Sequence, residues 1–396
     1  MFKFFRRKNL PDKALSLDQI FEEAIGLMSQ IEDEGVKNWC RRDLAIALGA
    51  SGRMIEAGKM TEEITNTDQK DLAYIGIGIR LIERGKYDEA REMEQFIEDD
   101  FNKNNFFYPT AKRQAQLSEY QLCTETIKAE ISQSAPTGVS NTIIDCACIA
   151  YEKGDVEEAE KLFHLGLEHS DWSDSNEAVR LLYSGEDEKG LEKILSNAEN
   201  STSMAIGLAA YCRHACKMKK WELAKRIIGM INDSDWRDCA LQDIAKALAE
   251  TGDKEGAETF VKQIKNRREK EVGKRITSEG LAKYGAYQQA IEVAESIGTK
   301  YRQEQIYAFR DITLAQIANG DIDEAWETDK RIPVSEKRSV LEAFAKYYVQ
   351  EGELTKAREV IDQVKVVMNK DSDCFYKASS LAHLGGLLFI YSETEA

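Results

Sequence analysis

The most constraining feature of this sequence is a repeat of about 33 residues that runs through almost the whole chain. In each copy a turn residue, usually glycine, is followed five residues later by a small residue, as in the stretch GKYDEA from Gly85 to Ala90. A period of this length is typical of stacked helical repeats. We call the ten turn residues anchors, and they are Gly52, Gly85, Ser118, Gly154, Gly185, Lys219, Gly252, Gly285, Gly320 and Gly352.

The residues around each anchor predict a pair of helices. Glycine accepts the left-handed conformation that ends a helix, and the acidic residues that follow it favour the start of the next one. Seven residues before every anchor stands a second small residue, which predicts the point where the two helices of a pair cross closely. These crossing residues are Ala45, Gly78, Ala111, Ala147, Ala178, Cys212, Ala245, Ser278, Thr313 and Ala345.

The repeat accounts for a chain of 396 residues, which is too long for one ordinary compact core. Only 4 prolines and 25 glycines occur, too few for the turns of an all-β protein. We therefore predict an all-α solenoid of about ten antiparallel helix pairs, with a half pair at each end, 22 helices in all and no strand. The predicted segments are a basic N-terminal tail (1–15), the repeat array (16–391) and an acidic C-terminal tail (392–396).

The spacing of small residues resembles that of the tetratricopeptide repeat (TPR), in which a small residue precedes the turn glycine by seven and an alanine follows it by five. An aromatic residue two positions after the anchor strengthens the likeness at Tyr87, Tyr120, Trp221 and Tyr287. The proline at the end of the family's repeat is absent here, and isoleucine replaces the alanine late in the second helix. The chain therefore resembles a divergent member. The resemblance implies a right-handed solenoid whose first helices line a concave groove that binds a partner.

Basic residues predominate at the positions ten and six before the anchors, which the resemblance places in that groove. Only Glu279 and Glu342 are acidic at these positions, although the chain as a whole has 70 acidic and 54 basic residues. The candidate partner-binding residues are Arg42, Lys112, Arg213, Lys246, Arg275, Arg310 and Lys346.

Aspartates recur nine residues before several anchors, at Asp43, Asp145, Asp243 and Asp311. A base also recurs fifteen residues before several anchors, at Lys37, Lys70, Lys103, Arg237, Lys270 and Lys337. These aspartates and bases allow two interpretations, a polar track for a ligand or ion pairs between repeats, and we favour the ion pairs.

No cluster of residues predicts catalysis, a cofactor or a metal. Cys212, His214 and Cys216 have the best metal-ligand spacing, but on a helix the histidine points about 200° away from the two cysteines. We therefore predict neither a metal nor a cofactor, and we expect the protein not to be an enzyme. A formal net charge of −16 repels phosphate backbones, which argues against nucleic acid as a partner.

The cysteines and the two chain ends suggest further expectations. Eight irregularly spaced cysteines do not predict a disulfide framework, and we expect a cytoplasmic protein. Phe2, Phe4 and Phe5 lie among bases in the N-terminal tail, which suggests weak peripheral membrane contact or an ordinary loose terminus. The C-terminal helix, with Leu384 and Leu388, is expected either to fold against 353–368 or to form a homodimer.

Recognition of other proteins is the function that these features favour. The main hypothesis is a scaffold or adaptor that binds a protein or peptide partner in the groove. The alternative is a regulatory sensor that binds a peptide or a small ligand there, and an enzyme embedded in the solenoid is third.

Overall fold

A computed structural model describes residues 17–131, 139–168, 173–197, 200–363 and 370–393. These residues form 22 α-helices and two short 3₁₀ helices, Thr299–Tyr301 and Val334–Glu336, and none of them lies in a β-strand. The helices up to the middle of the chain are α1 (Leu17–Ser29), α2 (Glu34–Ala50), α3 (Met54–Glu62), α4 (Thr67–Glu83), α5 (Tyr87–Glu94), α6 (Asp100–Gln116), α7 (Tyr120–Ile131), α8 (Val139–Glu152), α9 (Val156–Glu168), α10 (Ser173–Tyr183) and α11 (Asp187–Asn197). The others are α12 (Ser201–Lys217), α13 (Trp221–Met230), α14 (Ser234–Ala249), α15 (Lys254–Gln263), α16 (Arg267–Tyr284), α17 (Tyr287–Glu295), α18 (Arg302–Asn319), α19 (Ile322–Asp329), α20 (Arg338–Gln350), α21 (Leu354–Asp362) and α22 (Lys370–Glu393).

This helix order confirms the predicted all-α helical repeat. In chain order, α2 to α21 alternate as ten first and second helices, and α1 and α22 are the two half pairs. The chain divides into two compact units. The first unit contains the described residues of 1–113 and 333–396, and the second contains those of 114–332. The proposed single array over 16–391 stays a prediction.

The ten predicted anchors are the residues that end the first helix of each pair. Among the described residues, positive φ angles occur at these ten positions and nowhere else. Eight of them are glycines, whose lack of a Cβ makes this conformation accessible, while Ser118 (φ 64°) and Lys219 (φ 58°) adopt it with a side chain. The weaker copies of the repeat are therefore real turns of the same kind.

The small residues lie where the two helices of a pair cross, as predicted. All ten positions seven before the anchors are buried. The Ser278 hydroxyl donates a hydrogen bond to the carbonyl of Ala290 (3.0 Å), and the Cys212 thiol contacts the carbonyl of Ala224 (3.7 Å), so side chains before the anchor touch backbone five residues after it. At Gly190 an added methyl group would lie 2.8 Å from the carbonyl oxygen of Ala178. A large side chain has no room at either position.

In several repeats, a buried polar side chain binds the loop that precedes the next repeat. The carboxylate of Asp71 accepts hydrogen bonds from the backbone N–H groups of Glu98 (3.1 Å) and Asp99 (3.0 Å). Asp238 accepts equivalent bonds from Lys265 (3.1 Å) and Asn266 (2.9 Å). Such bonds satisfy N–H groups that would otherwise be buried without a partner. Asn38 and Glu271 occupy the same position, 14 residues before an anchor, and also accept backbone N–H groups.

Asparagine or aspartate caps the first helix in many of the pairs. These N-cap residues stand 19 positions before an anchor, and their side chains accept hydrogen bonds from the first turn, which stabilises the helix start. They are Asp33, Asn66, Asn200, Asp233 and Asn266.

Within the first unit, the two half pairs complete each other. Helix α22 packs mainly against α1 and α2 and to a smaller extent against α20. An added methyl group on Gly385 would lie 2.9 Å from the ring of Phe21, and Arg358 of α21 pairs with Glu23 of α1 at 2.7 Å. The expectation that α22 folds against 353–368 is met only by a small contact with α21; α22 packs mainly against α1 and α2, because α1 offers it the second-helix surface of a regular pair.

Several expectations fall on residues outside this description. The tails at 1–15 and 394–396 and the side chains of Leu384 and Leu388 belong to this group.

None of the described helices is both long enough and apolar enough to cross a bilayer.

Candidate functional site

The seven predicted groove residues all lie on first helices. Arg42, Lys112 and Lys346 belong to α2, α6 and α20, while Arg213, Lys246, Arg275 and Arg310 belong to the consecutive first helices α12, α14, α16 and α18. The four of the second unit can be compared directly, because they stand in four successive repeats.

Most of these bases pair with acidic residues of the same or the next repeat. Arg213 Nε lies 3.0 Å from Asp243, and Lys246 Nζ lies 3.2 Å from Glu279.

Arg275 extends the series, because its Nε is 3.0 Å from Glu304 and its Nη1 is 3.4 Å from Asp311. Arg310 contacts the same Asp311 at 3.3 Å. In the first unit Arg42 pairs with its neighbour Asp43 at 2.7 Å and donates to Gln69 at 2.9 Å. Asp243 and Asp311 therefore fit the interpretation of the recurrent aspartates as partners in ion pairs between repeats, whereas Asp43 pairs with its own neighbour.

Burial and charge compete at the acidic members of this series. Burial raises the pKa of Asp243, while the guanidinium of Arg213 opposes that rise. Burial likewise raises the pKa of Asp311, against Arg310 and Arg275. At Glu279 burial also acts to raise the pKa, but hydrogen bonds and charges from Lys283 and Lys246 outweigh it and the pKa is lowered.

Two of the predicted residues, Arg213 and Lys246, line the same pocket in the second unit. This basic pocket has a volume of about 480 Å³ and lies where α12, its anchor turn and α14 meet. Its lining consists of Arg213, Cys216, Lys217, Lys219, Trp221, Asp243, Lys246, Ala247, Glu250 and Thr251. Four bases face two acids, which inverts the charge balance of the chain as a whole.

The two other lysines of the basic pocket were not among the sequence candidates. Lys217 and Lys219 are exposed, and neither has a carboxylate within ion-pair distance in the described part of the chain. They stand two residues before the anchor and at the anchor itself, so the groove positions ten and six before it do not include them. Their convergence with Arg213 and Lys246 depends on the turn after α12.

A second pocket of about 230 Å³ lies in the first unit, where α2 and α4 meet α20 and α22. Arg338 is its central side chain. It donates to Glu342 at 2.9 Å and to the Ser379 hydroxyl at 2.7 Å, and Ser379 in turn donates to Asp43 at 2.5 Å. These polar groups largely satisfy one another's hydrogen-bonding capacity, and their bonds connect α20 with α22 and α22 with α2. We call this the terminal pocket, because it lies beside the last helix. Arg42 and Lys346 do not line it.

The Cys212–His214–Cys216 motif lies in the core of the second unit. Cys212 touches the carbonyl of Ala224, whereas His214 turns toward α8 and α10, with Nδ1 3.5 Å from the Tyr183 hydroxyl and 4.0 Å from Cys148. Burial lowers the pKa of His214 to about 4 and raises that of the Cys148 thiol to about 12. Across the described residues, no group of three or more histidine, cysteine or acidic side chains could hold a metal ion.

Comparison with known proteins adds no family name. No family model matches the chain, and no curated protein matches it. Among solved structures, Ton1535 from Thermococcus onnurineus NA1 is 15% identical with a TM-score of 0.26, and the match covers 75% of this chain and 94% of that one. A monomeric mutant of IFIT1 in a structure with Gppp-AAAA is 13% identical, with a TM-score of 0.27 and coverage of 89% and 95%. A circular tandem repeat protein is 12% identical, with a TM-score of 0.17 and coverage of 88% and 74%. TM-scores this low do not support a fold or a function for this chain. The fold assignment rests on its own helices and anchors.

Proposed function

We propose that this protein is a non-enzymatic scaffold or adaptor that binds a partner protein through the first helices of a TPR-like array. The observation that carries the proposal is the basic pocket, where Arg213 and Lys246 from the predicted groove positions meet Lys217 and Lys219. Stacked helical repeats offer extended surfaces suited to a protein or peptide partner. A cytoplasmic location is part of the proposal, since all eight cysteines are free and seven of them are buried.

The chemistry of the buried groups supports a binding role over a catalytic one. With a pKa near 12, the Cys148 thiol is protonated at neutral pH, and nucleophilic attack requires the thiolate. With a pKa near 4, His214 is a neutral imidazole at neutral pH, half-buried beside Tyr183. These two groups therefore supply neither a thiolate nor a protonated imidazole at neutral pH.

The volume of the basic pocket favours one alternative, a sensor that binds a peptide or small ligand. About 480 Å³ falls within the range of small-ligand sites. Native mass spectrometry of the purified protein distinguishes the two. A retained small molecule supports the sensor, and a stoichiometric protein partner supports the scaffold.

Site-specific photocrosslinking in the native cell tests the proposed binding surface. A photoreactive amino acid replaces Lys217, which lines the basic pocket, or Lys225, which is exposed on the second helix α13. We expect a partner that crosslinks from position 217 and not from position 225. The same partner captured equally from both positions, or only from 225, would contradict binding through the first helices.

A further inference from the structure

We infer that the basic pocket recognises a short acidic segment of the partner protein, with Lys219 as a specificity-determining residue. This inference rests on the proposed function, because it names the chemistry of the partner at the same surface. Three features support it: a lysine in a left-handed turn, two lysines with no carboxylate at ion-pair distance among the described residues, and an aromatic side chain in the pocket wall.

The backbone at Lys219 is the first feature. Eight of the ten anchors are glycines, and a side chain in the left-handed conformation makes the native turn less stable. Ser118, the other exception, has local side-chain contacts, since its hydroxyl accepts a hydrogen bond from Lys153 (2.9 Å) and lies 3.5 Å from the Tyr120 hydroxyl. The Lys219 ammonium has no such contact among the described residues. The turn keeps its backbone hydrogen bonds to Cys216 and Ala215, while the ammonium group has no partner within the described chain and can meet a ligand of opposite charge.

The unbalanced charge of the pocket is the second feature. Arg213 Nε donates a hydrogen bond to the carboxylate of Asp243, and the Lys246 ammonium donates one to that of Glu279. The charges of these two bases are therefore already partly neutralised. Lys217 and Lys219 remain, two exposed ammonium groups at one end of α12. Carboxylates on neighbouring residues of an extended peptide could meet both groups, and the unused Nη atoms of Arg213 could bind a third carboxylate through paired hydrogen bonds.

The aromatic wall is the third feature. Trp221 lines the pocket two residues after Lys219 and is only partly exposed. An indole ring offers an apolar contact beside the charged groups, and aromatic side chains of this kind anchor protein interfaces. The fitting ligand is therefore an acidic segment that also carries an apolar or aromatic residue. The charge of −16 on the chain as a whole favours a short acidic segment over a long polyanion.

Fluorescence anisotropy with defined peptides tests the inference on the full-length protein. The probe is a fluorescein-labelled peptide of sequence Glu-Asp-Phe-Glu-Asp, and its control is the amide analogue Gln-Asn-Phe-Gln-Asn. We expect the acidic probe to bind at least roughly tenfold more tightly than the analogue, and its affinity to fall as the salt concentration rises.

Substitutions at the two non-glycine anchors separate charge from backbone strain. Lys219→Gly should weaken binding of the acidic probe by roughly fivefold or more and shift the urea midpoint of unfolding upward, because it removes both the charge and the strain. Lys219→Ala should weaken binding similarly without that upward shift. Ser118→Gly is the matched control, since it relieves the same kind of turn in the same unit and should leave binding unchanged.

Three results would overturn the inference. They are equal affinity for the acidic and amide peptides, unchanged affinity in both Lys219 variants, and binding of inorganic pyrophosphate that matches the acidic probe and displaces it completely. A partner that crosslinks from position 217 while the acidic probe fails to bind would leave the proposed function standing and remove only this inference.

Discussion

At the residue scale, a few buried polar side chains accept hydrogen bonds from loop backbone, which apolar side chains cannot do. Asp71 and Asp238 are almost completely buried, and each accepts two backbone N–H groups from the loop that leads to the next repeat. These N–H groups belong to irregular backbone that no helix ladder can satisfy. The carboxylates therefore hold each loop, and with it the start of the next first helix.

Replacing Asp238 by asparagine should destabilise the second unit. One carboxylate oxygen becomes an NH₂ group that faces a backbone N–H, so a buried donor loses its acceptor at a cost of about 1–3 kcal/mol. Urea unfolding measures the change. Asp235→Asn is the matched control, because Asp235 is exposed on the same helix and should change stability by no more than about 0.5 kcal/mol. Equal effects of the two substitutions would show that the loop does not depend on Asp238.

His214 should make the second unit less stable in mild acid. Its pKa is about 4 in the folded protein and near 6.5 in the unfolded chain, so between these values the unfolded chain binds the extra proton. The stabilisation is complete above about pH 6.5 and is lost as the pH falls toward 4. At pH 5 the loss is ~2 kcal/mol.

The variant His214→Phe isolates this effect. It keeps a ring beside Tyr183 and removes the titrating group, while Lys217, Arg213 and Asp145 remain around the site. We expect the wild type to lose more stability than the variant between pH 7.5 and pH 5, as measured by urea unfolding. Parallel losses in the two proteins would contradict the lowered pKa.

At the element scale, the helix pairs are set by small residues at two fixed distances from each anchor. Side chains seven residues before the anchor touch backbone five residues after it, as Ser278 does at Ala290. Because both helices approach through these points, neither position tolerates added volume.

Two glycines in the second unit test this spacing. Gly190→Ala places a methyl group 2.8 Å from the carbonyl oxygen of Ala178 and 2.5 Å from the Tyr211 hydroxyl, so it should destabilise by roughly 1–3 kcal/mol. Gly229→Ala has open space around the new methyl group, and in helix α13 it should stabilise by up to about 1 kcal/mol. Thermal unfolding compares the two. A stabilising Gly190→Ala would contradict the helix crossing described here.

At the scale of the whole molecule, the first and last of the described helices, α1 and α22, belong to one compact unit. Helix α22 supplies a first helix, α1 supplies a second helix, and together they form an eleventh pair inside the first unit. The crossing residues are present in this pair too, since Ala24 and Ala378 are fully buried. The terminal pocket around Arg338 lies beside this pair.

Removing α1 should therefore loosen α22, which is far from it in sequence. In a protein that lacks residues 1–30, we expect the backbone amides of α22 to exchange hydrogen at least roughly tenfold faster, because α22 loses its packing against α1. Helix α14 of the second unit serves as the internal control and should keep its protection. Unchanged protection in α22 would show that α1 is dispensable for the C-terminal end.

The sequence by itself determined the helices, the turns and the crossing points. A helix that ends in the left-handed conformation favours glycine, and a close helix crossing requires a small side chain, so both features leave a mark at single positions. The spacing of the small residues was sufficient to identify the turns at Ser118 and Lys219, where the anchor is not a glycine. The recurrent buried acceptors and N-cap residues were present in the sequence at fixed distances from the anchors, but they occur in only some repeats.

Only the tertiary structure decided which charges are neutralised and which helices meet at the ends. The groove positions identified Arg213 and Lys246 but not Lys217 and Lys219, because their approach depends on the path of one turn and on the adjacent first helix. Ion pairing is likewise a matter of distances between side chains of different repeats, as between Arg275 and Asp311. The pairing of α1 with α22 brings together helices from opposite ends of the sequence inside the first unit. It depends on many small packing contacts, and no single residue type is required for it.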